Sequence, residues 1–331
     1  MSTKRFAVLI GCNYVGTPNE LYGCQNDIIK YKPILMNNYG YLEENIISLM
    51  DASGFEYPTF NNIIKSMNWL IEKSSGADEL TFYYSGHGTN LRDVSKDEPD
   101  RMDECIVPLD FDSSGFILDD YIYLNFLSKL KPVNKLICVF DSCNSASCTD
   151  LPYSFTWATR KVVKLSFSKR LPIPNNPNIF VLSGCLDPKY SYDSREPNGT
   201  PCGLLSYWLR KTLTSGGYKA TVGELVSKIK NGFGSNDQTP VLSVNSNNYT
   251  TSTIVFTPWV EVSAQISNSN NKPTKPTKPQ RPVKPNKSKK ELELLTRNNL
   301  IKNKKNKKTK NKNENEINLI DFVKKLYENI L

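Results

Sequence analysis

The sequence predicts a three-layer α/β domain, with a mainly parallel sheet flanked by helices on both faces. Three observations carry this. Short apolar runs recur through the first 257 residues, helical patterns separate them, and most of the runs lack polar alternation. Strands covered on both faces read as continuous apolar runs, and strand–helix alternation is the pattern of a parallel α/β sheet.

The expected strands are Phe6–Cys12, Ile46–Asp51, Leu80–Tyr84, Lys135–Phe140, Ile179–Ser183 and Ser252–Thr257. The expected helices lie at Gln25–Asn38, Thr59–Lys73, Asp119–Leu130, Gly203–Thr214 and Thr221–Asn231. Each carries apolar residues at helical spacing. The apolar run after Met1–Arg5 is short for a signal sequence and has no small-residue cleavage site, so it reads as a first buried strand.

Past Val262 the composition changes. Lys272–Lys284 reads K-P-T-K-P-T-K-P-Q-R-P-V-K, and Asn298–Asn315 is an Asn/Lys tract. Such a composition cannot bury a core, so residues 262–315 are expected to be a solvated, disordered tail. Residues 316–331 regain an apolar helical stripe, Leu319, Phe322, Val323, Leu326, Tyr327 and Ile330, which suits an amphipathic helix. The net charge of +9 divides unevenly: residues 262–331 hold 18 Lys/Arg against 6 Asp/Glu, residues 1–261 hold 24 against 27. The basic character belongs to the tail and the folded part is mildly acidic. Eight cysteines without C-x-x-C spacing exclude a disulfide scaffold. No run reaches the roughly 20 apolar residues of a membrane span. A soluble, intracellular (cytoplasmic) chain in a reducing compartment is expected.

Two strand ends carry chemistry. Leu80–Tyr84 runs into Ser85-Gly86-His87-Gly88, and Lys135–Phe140 runs into Asp141-Ser142-Cys143-Asn144. Ligands in open α/β sheets bind beyond the carboxyl ends of strands. His87 is the only histidine in the chain, so any Cys/His or Ser/His mechanism must use it. Taken alone, the same residues fit equally well a loop histidine and a buried strand-end thiol.

Together, however, the motifs resemble the metacaspases, caspase-like cysteine peptidases. The resemblance covers about Lys4–Pro258. It rests on Phe6–Tyr14 followed by Leu21-Tyr22-Gly23-Cys24-Gln25-Asn26-Asp27, and on Tyr84-Ser85-Gly86-His87-Gly88-Thr89. It rests further on Asp103-Glu104-Cys105-Ile106-Val107-Pro108-Leu109-Asp110 with Gly115–Asp120, and on Asp141-Ser142-Cys143. The resemblance implies a caspase-like fold with a p20-like part at about 1–150, a linker at about 151–178 and a p10-like part at about 179–261. It implies a Cys143–His87 dyad, with oxyanion donors at Gly88 and Cys143.

By the same resemblance, cleavage follows Arg or Lys, whose side chain enters a pocket of Cys24, Asp27, Ser85 and Asp141. A carboxylate pair suits a guanidinium. Read locally, Asp27 also fits a helix N-terminus and Asp141 a strand-end turn. Asp103, Asp119, Asp120 and Asp150 match the ligands of Ca²⁺-activated metacaspases, and no organic cofactor is implied. Oxygen-rich carboxylate sets suit Ca²⁺, although a solvated acidic loop reads similarly. The short 151–178 segment resembles type I members, and a monomer is implied. The chain departs from the family where Asn144-Ser145-Ala146 follows the nucleophile in place of His-Ser-Gly. Arg160, Lys161, Lys164, Lys169 and Arg170 offer sites for self-cleavage of a zymogen. A second reading is a caspase-fold scaffold whose basic tail binds nucleic acid or an acidic surface. A third is a related peptidase with Asn or Asp preference, against which Asp27 and Asp141 speak.

Overall fold

A computed structural model describes residues 4–92, 102–142, 149, 151–158, 160–165, 173, 178–184, 194–234 and 238–259. The chain divides into two units, Met1–Glu261 and Val262–Leu331, and every described residue lies in the first. The tail, with the terminal helix expected at residues 316–331, therefore lies outside the described residues.

In chain order the elements are β1 (Arg5–Gly11), α1 (Cys24–Tyr39), β2 (Ile46–Met50), α2 (Phe60–Lys73), β3 (Glu79–Ser85), β4 (Gly88–Arg92), β5 (Met102–Ile106), α3 (Phe111–Ser114), β6 (Ile117–Leu118) and α4 (Asp119–Asn125). There follow β7 (Leu136–Asp141), β8 (Tyr153–Thr156), β9 (Val162–Lys164), β10 (Ile179–Ser183), β11 (Ser194–Arg195), β12 (Pro201–Cys202) and α5 (Leu204–Ser215). The last are β13 (Ala220–Thr221), α6 (Val222–Phe233), β14 (Val241–Val244) and β15 (Ile254–Phe256).

The central sheet has the order β2-β1-β3-β7-β10-β14-β8-β9. β2, β1, β3, β7 and β10 are parallel; β14, β8 and β9 are added by successive antiparallel pairings. The two-residue period of a strand explains why the parallel strands read as unbroken apolar runs. Ala7, Leu9, Tyr83, Ile137 and Val139 point to one face, where they pack with Tyr31 and Leu35 of α1, Leu209 and Leu213 of α5, and Leu225 and Ile229 of α6. Val8, Ile10, Phe82, Tyr84, Cys138 and Phe140 point to the other, against Ile63 and Leu70 of α2 and Ile122 beside Phe126. Both faces are buried, so both alternating positions favour apolar side chains, and the polar exceptions Glu79 and Thr81 are hydrogen-bonded to Tyr41. This is the three-layer α/β fold that the sequence predicts.

Three expectations change. The segment 151–178 is not a plain linker: it contributes β8 and β9, and β8 pairs with β14 to extend the sheet. Ser252–Thr257 contains a strand, but β15 pairs with β13 outside the central sheet. The helical pattern Asp119–Leu130 ends as α-helix at Asn125 and continues as a 3₁₀ turn over Leu127–Lys129.

Candidate active site

Register alone brings the site residues together. Gly11 pairs with Ser85, and Ser85 pairs with Asp141, so three carboxyl-end residues stand side by side on β1, β3 and β7. Gly86 N–H donates to the Asp141 carbonyl at 3.3 Å, which ties the two departing loops at their roots. His87 lies one residue beyond one root. Cys143 lies two residues beyond the other, and Cys143–Cys148 and Asp150 lie outside the described residues.

Two buried tyrosines clamp the His87 backbone. His87 N–H donates to Tyr14 Oη at 3.0 Å, and Tyr14 Oη donates to the Val107 carbonyl at 2.6 Å. Tyr84 Oη donates to the His87 carbonyl at 2.7 Å and accepts from Val107 N–H at 3.2 Å. The two hydroxyls also lie 3.1 Å from each other, and Tyr84 Oη lies 3.0 Å from the Val107 carbonyl, so both share one network around the His87 backbone. Tyr14 holds a positive φ of 53°, a costly conformation for a non-glycine residue that persists only where surroundings impose it. Gly86 is required here: a Cβ would lie 2.6 Å from the Tyr84 hydroxyl.

The imidazole packs against the Tyr14 ring, with centroids 4.7 Å apart. Its Nε2 lies 2.8 Å from the main-chain carbonyl of Asn19. A carbonyl only accepts, so Nε2 carries the proton and Nδ1 keeps the lone pair. Asn19 is thus a third member of the histidine arrangement, and because it acts through its backbone no side-chain motif announces it. Val107 N–H bonds the His87 carbonyl at 3.2 Å, and Gly88 pairs with Ile106 in the antiparallel β4–β5 ladder. Hydrogen-bonded and non-bonded pairs alternate in such a ladder, so the Gly88 N–H turns away from β5.

Beside this arm sits a buried pair of carboxyl groups. Asp27 comes from the first turn of α1 and Asp141 from the end of β7; they are 0% and 6% exposed. Ser85 Oγ and Gly203 N–H both donate to Asp27 Oδ2, at 3.0 and 2.9 Å. Ser206 donates to Asp141 Oδ2 through both its N–H, at 2.7 Å, and its hydroxyl, at 2.5 Å. Tyr83 Oη in turn donates to Ser206 Oγ at 2.5 Å. Gly203 fits between the two acids: a Cβ there would lie inside the Asp141 carboxyl group and 2.8 Å from Asp27 Oδ2. Asp27 Oδ1 is buried with no partner among the described residues.

Burial pushes both carboxyls above the ordinary carboxylate range, and for Asp27 the charge of Asp141 adds to it. Cys24 opens α1 against this pair, and burial followed by the Asp27 charge raises its thiol, so it stays neutral. The four expected pocket residues therefore do converge. Gly203, Ser206 and Tyr83 complete this buried cluster. Sequence reading missed them because they lie far along the chain and act through backbone N–H or neutral hydroxyl groups.

The acidic set is partly assembled. Cys105 pairs with Leu118 and Ile106 with Ile117, so the β5–β6 register carries Asp103 towards Asp119 and Asp120. All three are buried, and Asp119 accepts from Glu104 N–H at 2.9 Å and from Asp120 N–H at 2.6 Å. Among the described residues no group of three or more His, Cys, Asp or Glu is placed to hold a metal ion, and Asp150 lies outside them. The donors present are hard carboxylate oxygens, the chemistry Ca²⁺ prefers.

Comparison with known proteins bears on this geometry. Residues 4–152 match the family model of the metacaspase, peptidase C14 domain. Over that stretch the chain is similar to the metacaspases. Metacaspase-1A of Neurospora crassa is 41% identical over 165 residues, covering 49% of this chain and 36% of that protein. Metacaspase-1 of Schizosaccharomyces pombe is 34% identical over 258 residues, covering 64% and 60%. The chain thus spans well under two thirds of the length of these curated relatives. A crystal structure from Geobacter sulfurreducens, 23% identical, superposes with a TM-score of 0.52 over 72% of this chain and 92% of that one, a likeness of fold. The motif resemblance is therefore matched over residues 4–152, and the α/β fold is shared with that solved structure. Five cysteines, Cys12, Cys24, Cys105, Cys138 and Cys202, are free and buried. Among the described residues, no helix is long and apolar enough to cross a membrane.

Proposed function

We propose that the chain is a cysteine endopeptidase that cleaves after Arg or Lys, with Cys143 as nucleophile and His87 as base. The observation carrying this is the paired, donor-lined Asp27 and Asp141 at the strand end from which the Cys143 loop departs, next to the His87 arm. Two ionised carboxylates in a closed pocket suit a planar guanidinium or an ammonium, and a neutral or acidic side chain would leave them unpaired.

In the proposed reaction His87 Nδ1 takes the proton of the Cys143 thiol, because Nε2–H is committed to Asn19. The thiolate attacks the carbonyl carbon after the basic residue. The Gly88 and Cys143 N–H groups receive the developing oxyanion. The C–N bond then breaks, and the leaving amine takes its proton from Nδ1. Water, deprotonated by His87, attacks the thioester; the C–S bond breaks and the thiol is restored. Bound Ca²⁺ would supply positive charge to Asp103, Asp119, Asp120 and Asp150. Without that charge the buried acids repel one another across β5, β6 and α4. Self-processing within residues 160–170 fits the same specificity. Arg160, Lys161 and Lys164 lie in or beside β9, where the strand must open before the bond is reached. The short segment between β7 and β10 supports a type I organisation.

The test is hydrolysis of a fluorogenic Arg-terminated peptide by the full chain, with and without Ca²⁺. Cleavage that Cys143→Ala abolishes is the expected result. Isothermal titration should show heat for Ca²⁺ that Asp119→Asn removes. Wild-type protein inactive at every Ca²⁺ level would overturn the reading in favour of a scaffold working through its tail.

A further inference from the structure

The carboxylate pocket contains its own competitors. On α1, Lys30 follows Asp27 by three residues; on α5, Arg210 follows Ser206, the Asp141 donor, by four. At these spacings side chains share a helix face one turn apart. One helix therefore carries a cation one turn beyond Asp27, and the other carries one a turn beyond the donor of Asp141. Yet neither cation is hydrogen-bonded to either acid. Lys30 Nζ and Arg210 Nη2 both bind Glu196 Oε1, each at 2.8 Å.

Glu196 stands at the turn between β11 and β12, held by its own N–H to the Thr200 carbonyl at 2.9 Å. Asn26 Nδ2 fastens the same hairpin to α1 through the Pro201 carbonyl at 3.0 Å. The strand leaving that turn delivers Gly203 to the acids. One hairpin thus brings both the pocket floor and the clamp on the cations. The side chains of Glu196 and Arg210 are 12% and 13% exposed, so solvent screens this cluster weakly. Burial raises the Glu196 carboxyl, but hydrogen bonds from Lys30 and Arg210 outweigh it, and the net shift is downward. It stays ionised. The Arg210 charge also reaches both acids and favours their ionised forms.

We propose that Glu196 is a positioning residue of the pocket, which holds Lys30 and Arg210 away from Asp27 and Asp141 and so keeps that pair open to the basic side chain of a substrate. This deepens the Arg/Lys reading of the pocket and rests on it. Without Glu196, a guanidinium close enough for its charge to reach Asp27, that of Arg210, belongs to the protein itself. Arg210 Nε is buried and has no partner among the described residues, so the side chain gains bonds by turning to the acids. An intramolecular partner then competes at a high effective concentration.

The experiment measures agmatine, a free guanidinium probe, binding to full-length protein carrying Cys143→Ala, where no chemistry intervenes. Peptide kinetics are run in parallel on active protein. Glu196→Gln is expected to weaken agmatine about tenfold, or ~1.4 kcal/mol, and to raise KM for an Arg-terminated peptide by a similar factor, with the loss on KM rather than kcat. Adding Arg210→Met to Glu196→Gln removes the freed competitor and should recover most of the affinity. Glu196→Asp, which keeps the charge, should fall between wild type and Glu196→Gln, and reports even where Glu196→Gln folds poorly. Unchanged agmatine binding in Glu196→Gln overturns the proposal, as does a double variant no better than the single one. If wild-type protein neither binds agmatine nor cleaves after Arg, the pocket reading falls first and this one with it.

Discussion

His87 and the Asp27/Asp141 pair sit at the same carboxyl edge of the same sheet, yet they are built in opposite ways. His87 is half-buried in a loop, and its ring meets one main-chain carbonyl and one aromatic face. The acids are almost fully buried, and at least two N–H or O–H donors serve each of them. A group that must pass protons needs access and one free nitrogen. A group that must bind a cation needs a dry setting in which charge complementarity counts, and preset donors that keep it in place. Burial raises the proton affinity of the acids, and their hydrogen-bond donors offset part of that rise.

The largest effect expected from this contrast is on the proton-passing side. Replacing either Cys143 or His87 by Ala should lower kcat by ~10³-fold or more, and the double variant should be little worse, since the two act as one unit. Agmatine binding should survive both changes. If His87→Ala also abolished agmatine binding, the two regions would not be separable.

On the acid side, Asp141→Asn should cut kcat/KM for an Arg-terminated peptide by roughly 10²-fold, as expected for halving a buried charge pair. Asp27→Asn should do the same, with an opposite effect on stability. Asp27 ordinarily titrates near 3.8, and its folded value is raised by burial and by Asp141. A raised acid gives its full stabilisation below the unfolded value, and loses it as pH climbs through the folded one. Asp27→Asn is free of that loss. Its melting temperature should exceed that of wild type at about pH 8 by a few degrees, with the gap closing near pH 4. Agmatine affinity of the wild type should rise over the same interval, as the pair sheds its proton. A wild type more stable than Asp27→Asn at the higher pH would contradict the buried-pair account.

The two regions were also unequally legible in the sequence. Apolar runs give β1, β3, β7 and β10 to within a residue or so, because burial on both faces leaves no room for polar side chains. His87, Asp27 and Asp141 were readable because they follow such runs or open a helix. The supports were not. Asn19 contributes only a carbonyl, 68 residues from His87, and Gly203 only an N–H, 176 residues from Asp27. Nothing in a linear pattern marks a backbone group whose importance arises from tertiary approach. β8 and β14 are four-residue strands, too short for a periodic signal and defined by pairing with each other.

A smaller effect concerns the clamp on the histidine. Tyr14→Phe removes the acceptor of His87 N–H and the donor to Val107, while keeping the ring against the imidazole. The expected cost is about 1 kcal/mol per lost hydrogen bond in stability, and up to tenfold in kcat, with agmatine affinity unchanged. Reduced agmatine affinity would mean that the clamp also shapes the pocket.

The smallest change in affinity is expected where sequence alone divides the two requirements. Five basic residues in the tail, Lys272, Lys275, Lys278, Arg281 and Lys284, are each followed by proline; of the 37 other Lys and Arg residues only Lys32 and Lys131 are. A Lys–Pro pair offers the acids the side chain they bind. It denies the histidine side an ordinary leaving group, because the ring Cδ occupies the place of the amide hydrogen on the nitrogen that His87 must reach. A synthetic T-K-P-T-K-P peptide should therefore inhibit with a Ki close to the KM of its alanine counterpart, T-K-A-T-K-A, yet remain uncut while the counterpart is cleaved. Agmatine should displace both equally. Cleavage of the proline peptide would show that the His87 side makes no demand on the leaving nitrogen; failure of the proline peptide to bind would show that acid recognition extends past the basic residue. Self-processing of the full chain offers the same reading in one mass spectrum, with no cut after any of the five and the first tail cut at Lys287 or beyond.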